Sequence, residues 1–581
     1  MSLVKNRLEQ LRSWLRINNC QACIIPQSDP HLSEYIEEYD QVRAFFSGFT
    51  GSAGTLVVTL SEAGLWTDSR YYLQAEEQLQ GSSIKLFKLG MPDVPTYVDW
   101  LVKKVADGRV VANAFLFSHK TWQEYAQKLT LQHNPLFETC WQNRPALSVR
   151  PCWLYKGLSD SAQQKIAQLR AALKEQGVDA CFMTSLDDIA WLLTIRGGDV
   201  NYVPVLRSYL WVDHEQIVWW VDAQKLTDDA VKAHLAALSV QVLPYYKVEE
   251  LLPNKGLVQS VWVNSQQVNE CLYQQLSNRY RLLDKEDWCS EQKACKASTE
   301  IEGIQEAMQY DAVAWVRSLQ WLDKQLKASV HITELDFQQA MQHYKQQMPY
   351  YVGESFAPIV GYAAHGAIVH YEATPQSNAP IHASGFLLVD AGSHYRYGTT
   401  DVTRTIACGS LSEQERKVYT LVLRGMIAVA TCRFTESTPS NEIDALAREA
   451  LHSHGLDYGH GTGHGVGIVL NVHEEGARLS PKSVKPLKEG MVLSDEPGCY
   501  VAGQFGVRIE NMLAVQSLGA GELCFNTLTR VPLQCSAIEK SLLTQNEIDW
   551  INEYHRSVVE VCEPYLTSDE LTWLKQYAYE L

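Results

Sequence analysis

The chain has no uninterrupted apolar run near the ~18 residues that a membrane-spanning helix needs, so no membrane span is expected. It has no lysine- or arginine-rich cluster either, and its formal net charge is −17. So acidic a chain offers no basic face to neutralise phosphates, and a nucleic-acid partner is not expected. The opening stretch MSLVKNRLEQLRSWLRINN lacks the continuous apolar core and cleavage-like site of a secretion signal. Fourteen cysteines are scattered over 581 residues without the spacing of a disulfide framework, which fits a reducing, cytoplasmic setting. The one C-x-x-C, Cys20 and Cys23, has no second pair at zinc-ribbon spacing. It leads into the apolar run ACIIP, so burial in a strand is its expected fate. Low-complexity linkers are absent, and a composition of 46% hydrophobic and 20% charged residues is that of a folded globular protein.

What is present begins with a repeat. Residues 10–29, QLRSWLRINNCQACIIPQSD, align without a gap on residues 168–187, QLRAALKEQGVDACFMTSLD. Each copy predicts an amphipathic helix, with Leu8, Leu11, Trp14 and Leu15 on one face of the first and Ile166, Leu169, Ala172 and Leu173 on one face of the second. Each helix then turns into a short apolar strand that sets Cys23 opposite Cys181. FFSGFTGS (45–52) matches WLLTIRGG (191–198) in position, and LWTDSRYYLQ (65–74) resembles WWVDAQKLTD (219–228). Two α/β domains of similar fold are predicted, over 1–150 and 151–296, by duplication of one long unit.

A third unit is predicted over 297–515. It opens on a long helix, with Thr299 and Glu302 spaced as a capping box and Ile304, Met308, Ala312, Trp315, Leu319 and Leu322 along one side. The last segment, 516–581, ends in helical text rich in aromatics, expected to dock on the domain before it.

The chemistry lies in the third unit. In FLLVDAGSHYRYGTTDVTRTI (386–406), Asp390 ends a buried strand and Asp401 lies in a β-favouring stretch. MVLSDEPGCY (491–500) delivers Glu496 just after another strand, and FGVRIENMLAV (505–515) reads as one strand with Arg508, Glu510 and Met512 on one side. GHGTGHGVG (459–467) holds His460 and His464 among glycines, which speaks against a helical histidine pair. Buried without partners, the arginine and the acids would each cost several kcal/mol. A metal, a substrate or a salt bridge would each neutralise them. Four acids and an imidazole converging in one pocket are best held by two divalent cations. Carboxylate and imidazole donors with no thiolate favour manganese, cobalt, zinc or iron.

The ordered set of VDAG, TTDVTRT, HGTGHGVG, DEPG and RIEN resembles the pita-bread metallopeptidases, and the full layout is similar to the long, three-domain form of aminopeptidase P. The resemblance implies two creatinase-like N-terminal α/β domains, a pita-bread catalytic domain and a helical C-terminal extension. It implies Asp390 as a terminal ligand of one metal, Asp401 and Glu510 as bridging carboxylates, and His464 and Glu496 as ligands of the second. The two cations are expected to be manganese first, with cobalt or zinc next. The implied reaction is hydrolysis of an N-terminal Xaa–Pro bond by a hydroxide shared between the metals, with Glu496 also shuttling a proton. His370 and His473 are implied to bind substrate or stabilise the tetrahedral intermediate, and His460 and Arg508 to line the proline side. Arg70 is implied to approach the substrate entrance. Tyr500 is placed near the site or in aromatic packing, and His365 carries no assigned role. The expected partners are peptides with proline second and a second copy of the chain in a homodimer. A prolidase-like dipeptidase and a non-catalytic pita-bread module are the competing expectations.

Overall fold

The computed structural model describes residues 3–157, 160–250 and 258–581. The chain divides into two compact units, one of Met1–Lys156 and Asp160–Ser290, the other centred on Glu291–Leu581.

In the first unit the repeat becomes two six-stranded sheets of identical topology. One runs Lys85–Lys88, Ala63–Thr67, Thr55–Thr59, Ala22–Pro26, Arg109–Ala112, Thr130–His133. The other runs Val240–Leu243, Ile217–Val221, Ser208–Asp213, Ala180–Met183, Ser260–Val263, Arg281–Asp284. Ala22–Pro26 pairs antiparallel with Thr55–Thr59 and parallel with Arg109–Ala112, and Ala180–Met183 has the equivalent two neighbours. A strand in the middle of a sheet covered on both faces has no solvated side, which is why ACIIP and ACFM are continuous apolar runs and not alternating ones. Cys23 and Cys181 are both buried there, at equivalent places. The helix Leu3–Ile17 buries Leu8, Leu11 and Leu15, and Ala162–Glu175 buries Ile166, Leu169 and Leu173. Each of these aliphatic side chains contributes roughly 1.5–3 kcal/mol by leaving water. Trp14 and Ala172 stay partly exposed at the edge of those faces.

The second unit opens on the helix Ser298–Lys327, which buries the whole predicted stripe from Ile304 to Leu322. Its start differs from the capping box expected at Thr299 and Glu302. The helix begins at Ser298, two residues earlier than that box implies, and Glu300 reaches back to accept the Ala297 N–H at 3.0 Å. Thr299 lies inside the first turn, where its hydroxyl is past the capping position.

Three sheets carry the site. Ile359–Tyr362, Phe386–Asp390 and Thr403–Ala407 form one antiparallel set. A six-stranded sheet has Asn511–Gly519, Val492–Asp495, Gly463–Gly465 and Glu474–Leu479 as consecutive neighbours. Gly498–Val501 and Phe505–Arg508 form a hairpin. The stretch 505–515 is therefore two strands and not one. Phe505–Arg508 pairs within the hairpin, Asn511–Gly519 joins Val492–Asp495, and the chain changes sheet at Ile509 and Glu510. At that step the Glu510 N–H donates to the Thr403 carbonyl at 3.1 Å, so the backbone stays satisfied.

The C-terminal helices Gln545–Cys562 and Ser568–Tyr577 pack beside the long helix Ser298–Lys327. Arg317 of the long helix pairs with Glu570 at 3.0 Å, and the Trp573 indole donates to Asp323 at 2.9 Å. Among the described residues no helix is long and apolar enough to cross a membrane.

Candidate active site

Asp390 closes the all-buried strand Phe386–Asp390, and the chain returns through Asp401 just before Thr403–Ala407, its antiparallel neighbour. Glu496 follows Val492–Asp495 directly, and Glu510 occupies the crossing between sheets. His464 sits on Gly463–Gly465, the neighbour of Val492–Asp495. Four sequence-distant loops and strand ends thus bring the predicted acids and imidazole to one place. Ligand atoms of Asp401, His464 and Glu510 lie within 4.8 Å of one another. His464 Nε2 stands 3.5 Å from Asp401 Oδ2 and 3.4 Å from Glu496 Oε1.

The glycines around His464 serve the chain's own packing. A Cβ on Gly463 would stand 1.9 Å from the Ser494 carbonyl oxygen, so only glycine allows the two strands to meet here.

The electrostatics are those of acids crowded out of water. Burial, then Asp390 and Glu496, push the Asp401 carboxyl well above its ordinary range. Burial, then Asp401, Asp390 and Glu496, do the same to Glu510. Burial raises Glu496 to about 7, against the pull of Arg508. His464 Nδ1 faces the Gly465 carbonyl at 2.9 Å, which makes Nδ1 the protonated nitrogen and turns the Nε2 lone pair toward the carboxylates. Asp390 Oδ1 is buried with no hydrogen-bond partner. Lone pairs directed at lone pairs, an orphaned carboxylate oxygen and an imidazole fixed through its far nitrogen are what a divalent cation site requires. The donors fit such cations.

A second layer of polar contacts orients this set. Arg508, 1% exposed, donates from Nη2 to Asp390 Oδ2 at 2.6 Å and from Nη1 to the Tyr500 hydroxyl at 2.8 Å. That hydroxyl lies 2.8 Å from His460 Nε2, whose Nδ1 faces the Gly461 carbonyl. With Nδ1 protonated, Tyr500 donates to Nε2. Burial raises the Tyr500 phenol to about 12, with Arg508 opposing. The Thr403 hydroxyl donates to Glu510 at 2.6 Å, and the Ser494 hydroxyl donates to Glu496 at 3.2 Å while accepting the His464 N–H at 3.0 Å. Thr403 and Ser494 were missed as site residues; the only hint was their place two residues from a ligand candidate on the same strand face.

His473 is also gathered in, its ring 4.2 Å from that of His464 at 72°. His370 is half-buried and precedes Tyr371, which belongs with Leu388 to a buried apolar cluster that Tyr500 packs against. Arg70 belongs to the first unit, where it makes a bidentate ion pair with Asp68 at 2.9 and 2.8 Å.

Family models match the chain along nearly its whole length. Residues 302–517 match metallopeptidase family M24, and 521–581 match the C-terminal region of that family. Residues 7–135 and 143–300 each match a creatinase/prolidase N-terminal domain. A probable Xaa-Pro aminopeptidase P of Laccaria bicolor is 35% identical across 98% of this chain and 92% of its own. The chain belongs to metallopeptidase family M24. Aminopeptidase P2 of Arabidopsis thaliana is also 35% identical, across 95% of this chain and 85% of its own. Among solved structures, the X-prolyl aminopeptidase of Caenorhabditis elegans, described as a cytosolic enzyme with a di-nuclear active site, superposes with a TM-score of 0.95. It is 33% identical and covers 100% of both chains. The M24 match contains all five ligand candidates together with His370, His460, His473 and Arg508. The two topologically identical sheets of the first unit correspond to the two creatinase/prolidase matches of this M24 member.

Proposed function

We infer that this chain is a metal-dependent aminopeptidase that hydrolyses the bond between the first residue of a peptide and a following proline. The observation that carries the reading is the convergence of Asp390, Asp401, His464, Glu496 and Glu510, in a chain similar over its full length to Xaa-Pro aminopeptidases. Asp390, Asp401, His464, Glu496 and Glu510 would hold two divalent cations, which would supply Lewis acidity and a water acidic enough to ionise near neutral pH.

The chain's own groups do the rest. Arg508 holds Asp390 in place through a bond that also satisfies a buried guanidinium. The Glu496 carboxylate takes a proton from the attacking water and delivers it to the leaving nitrogen. That nitrogen is proline's: a tertiary amide, it becomes a good leaving group only when protonated. His370 and His473 donate to the oxyanion as the carbonyl becomes tetrahedral. His460 and Tyr500, rings 5.5 Å apart, form an aromatic wall suited to recognising the proline ring by shape, since no N–H marks that residue.

Oxygen and nitrogen donors without a thiolate support manganese as the resident metal, ahead of cobalt or zinc. A cytoplasmic location is supported by the cytosolic Caenorhabditis elegans relative. The division at 150, 296 and 515 is proposed alongside, as is a homodimer, which rests on the family resemblance. Arg70 is assigned to the substrate entrance on the same ground.

The test is release of arginine from an Arg-Pro-Pro peptide. Asp401→Ala and Glu510→Ala abolish the metal-dependent reaction and lower bound metal measured by mass spectrometry. A folded Asp401→Ala protein with near wild-type activity refutes the two-cation reading. Cleavage of Xaa-Pro-Xaa in preference to the Xaa-Pro dipeptide separates this activity from that of a dipeptidase.

A further inference from the structure

Glu334 begins the helix Glu334–Gln346, outside the ligand set, and its carboxylate is fully buried. Oε1 accepts the Tyr362 N–H at 2.8 Å and faces His365 Nδ1 at 2.8 Å. Oε2 accepts the Tyr371 hydroxyl at 2.9 Å and the Ala379 N–H at 2.8 Å. Four donors spread over residues 362–379 converge on one side chain. Between Tyr362 and Pro380 the chain forms the short 3-10 turn Ala363–Ala367, isolated tight turns and no strand, so it has little ladder of its own. A buried carboxylate that accepts this many hydrogen bonds supplies the order the backbone does not.

His370 lies in the middle of that segment. On one side of it, the rings of His365 and Tyr371 stack at 4.4 Å and 25°. Tyr371 also shares one buried apolar cluster with Ile359 and Leu388, against which Tyr500 packs. Ile359 is the ladder partner of Asp390, and Tyr500 is the hydroxyl between Arg508 and His460. On the other side the turn lies flush on Phe505–Arg508: a Cβ on Gly506 would stand 1.8 Å from the Gly366 carbonyl oxygen. The segment is therefore fixed at Glu334 and pressed against the strand that carries Arg508.

We propose that Glu334 and His365 are positioning residues, whose hydrogen bond holds the 362–379 segment so that His370 and the Tyr371–Tyr500 face meet the substrate in a single geometry. The proposal rests on the Xaa–Pro reading above. It gives His365 a role and adds a residue, Glu334, that no ligand motif contains.

Glu334→Gln replaces one acceptor oxygen by an amide that confronts two donors, and such a variant can fail to fold. His365 is safer to change, its side chain being 29% exposed. The experiment compares metal-loaded wild type, His365→Leu and His365→Asn on the Arg-Pro-Pro peptide, with bound metal and Tm measured on each. His365→Leu is expected to lose ~10–100-fold in kcat/KM with metal content and Tm unchanged. His365→Asn keeps an N–H near the place of Nδ1 and is expected to recover to within about 3-fold of wild type. Wild-type kcat/KM in His365→Leu overturns the proposal. So does a loss that His365→Asn does not restore, or one that tracks lost metal or lowered Tm. A wild-type protein that releases no arginine overturns the Xaa–Pro reading itself and the proposal with it.

Discussion

Acidification from pH 7 to pH 5 is expected to loosen the C-terminal helix Gln545–Cys562 through one residue, His555. It is 2% exposed, and its Nε2 accepts the Leu533 N–H at 3.1 Å, so the folded ring must be neutral at that nitrogen. Burial, then the nearby Arg404 guanidinium, lower its pKa from 6.5 to about 4. When the helix opens, the ring regains its ordinary affinity for a proton. Between pH 6.5 and about 4 the open form therefore binds more protons than the closed form, and stability falls as pH falls. The whole interval is worth ~3 kcal/mol, of which ~2 kcal/mol falls between pH 7 and pH 5, or a change of about one order of magnitude in the opening equilibrium. Hydrogen exchange of peptides spanning 545–562, corrected for the intrinsic pH dependence of exchange, measures this opening directly. His555→Gln retains an oxygen to accept the Leu533 N–H but does not titrate, so its opening should be insensitive to this pH change. Equal pH dependence in wild type and His555→Gln would refute the reasoning.

Removal of divalent cations should create a pH dependence of the opposite sign. Burial raises Glu496 to about 7, so the stripped protein loses stability as pH climbs from the ordinary carboxylate range through about 7; re-addition of a cation flattens Tm against pH. Gly463→Ala forces a methyl group to within 1.9 Å of the Ser494 carbonyl oxygen, and separating those strands is expected to cost ~1–3 kcal/mol in urea unfolding and to lower metal affinity in titration. Tyr500→Phe removes the hydroxyl between Arg508 and His460, with an expected loss of ~10-fold in kcat/KM and an unchanged circular dichroism spectrum.

Much of the architecture could be read locally. The gapless alignment of 10–29 on 168–187 became two sheets with the same strand order, because equal runs of apolar residues face equal burial on both sides. The stripe from Ile304 to Leu322 became the buried side of a 30-residue helix, since a period of 3.6 depends on nothing beyond the helix. The residue types of the candidate metal site stand in the motifs VDAG, TTDVTRT, HGTGHGVG, DEPG and RIEN, whose order along the chain carries the family resemblance. The start of that same helix was misread. Thr299 and Glu302 have capping-box spacing, yet Glu300 captures the Ala297 N–H, and a two-residue shift in frame is invisible to a spacing rule.

The motifs of this chain settled the kind of chemistry, since carboxylate, imidazole and glycine in that order are a matter of composition along the sequence. Tertiary structure decided which groups face which. Asp390 and Arg508 are 118 positions apart, and Thr403 and Glu510 are 107 apart, so no local period pairs them. The break at Ile509 and Glu510 arises because the chain leaves one strand partner for another, a choice made by distant backbone groups competing for the same N–H and C=O. Tyr500 and Glu334 are of the same kind: each matters for the two or more segments it ties together, and those segments become neighbours only on folding.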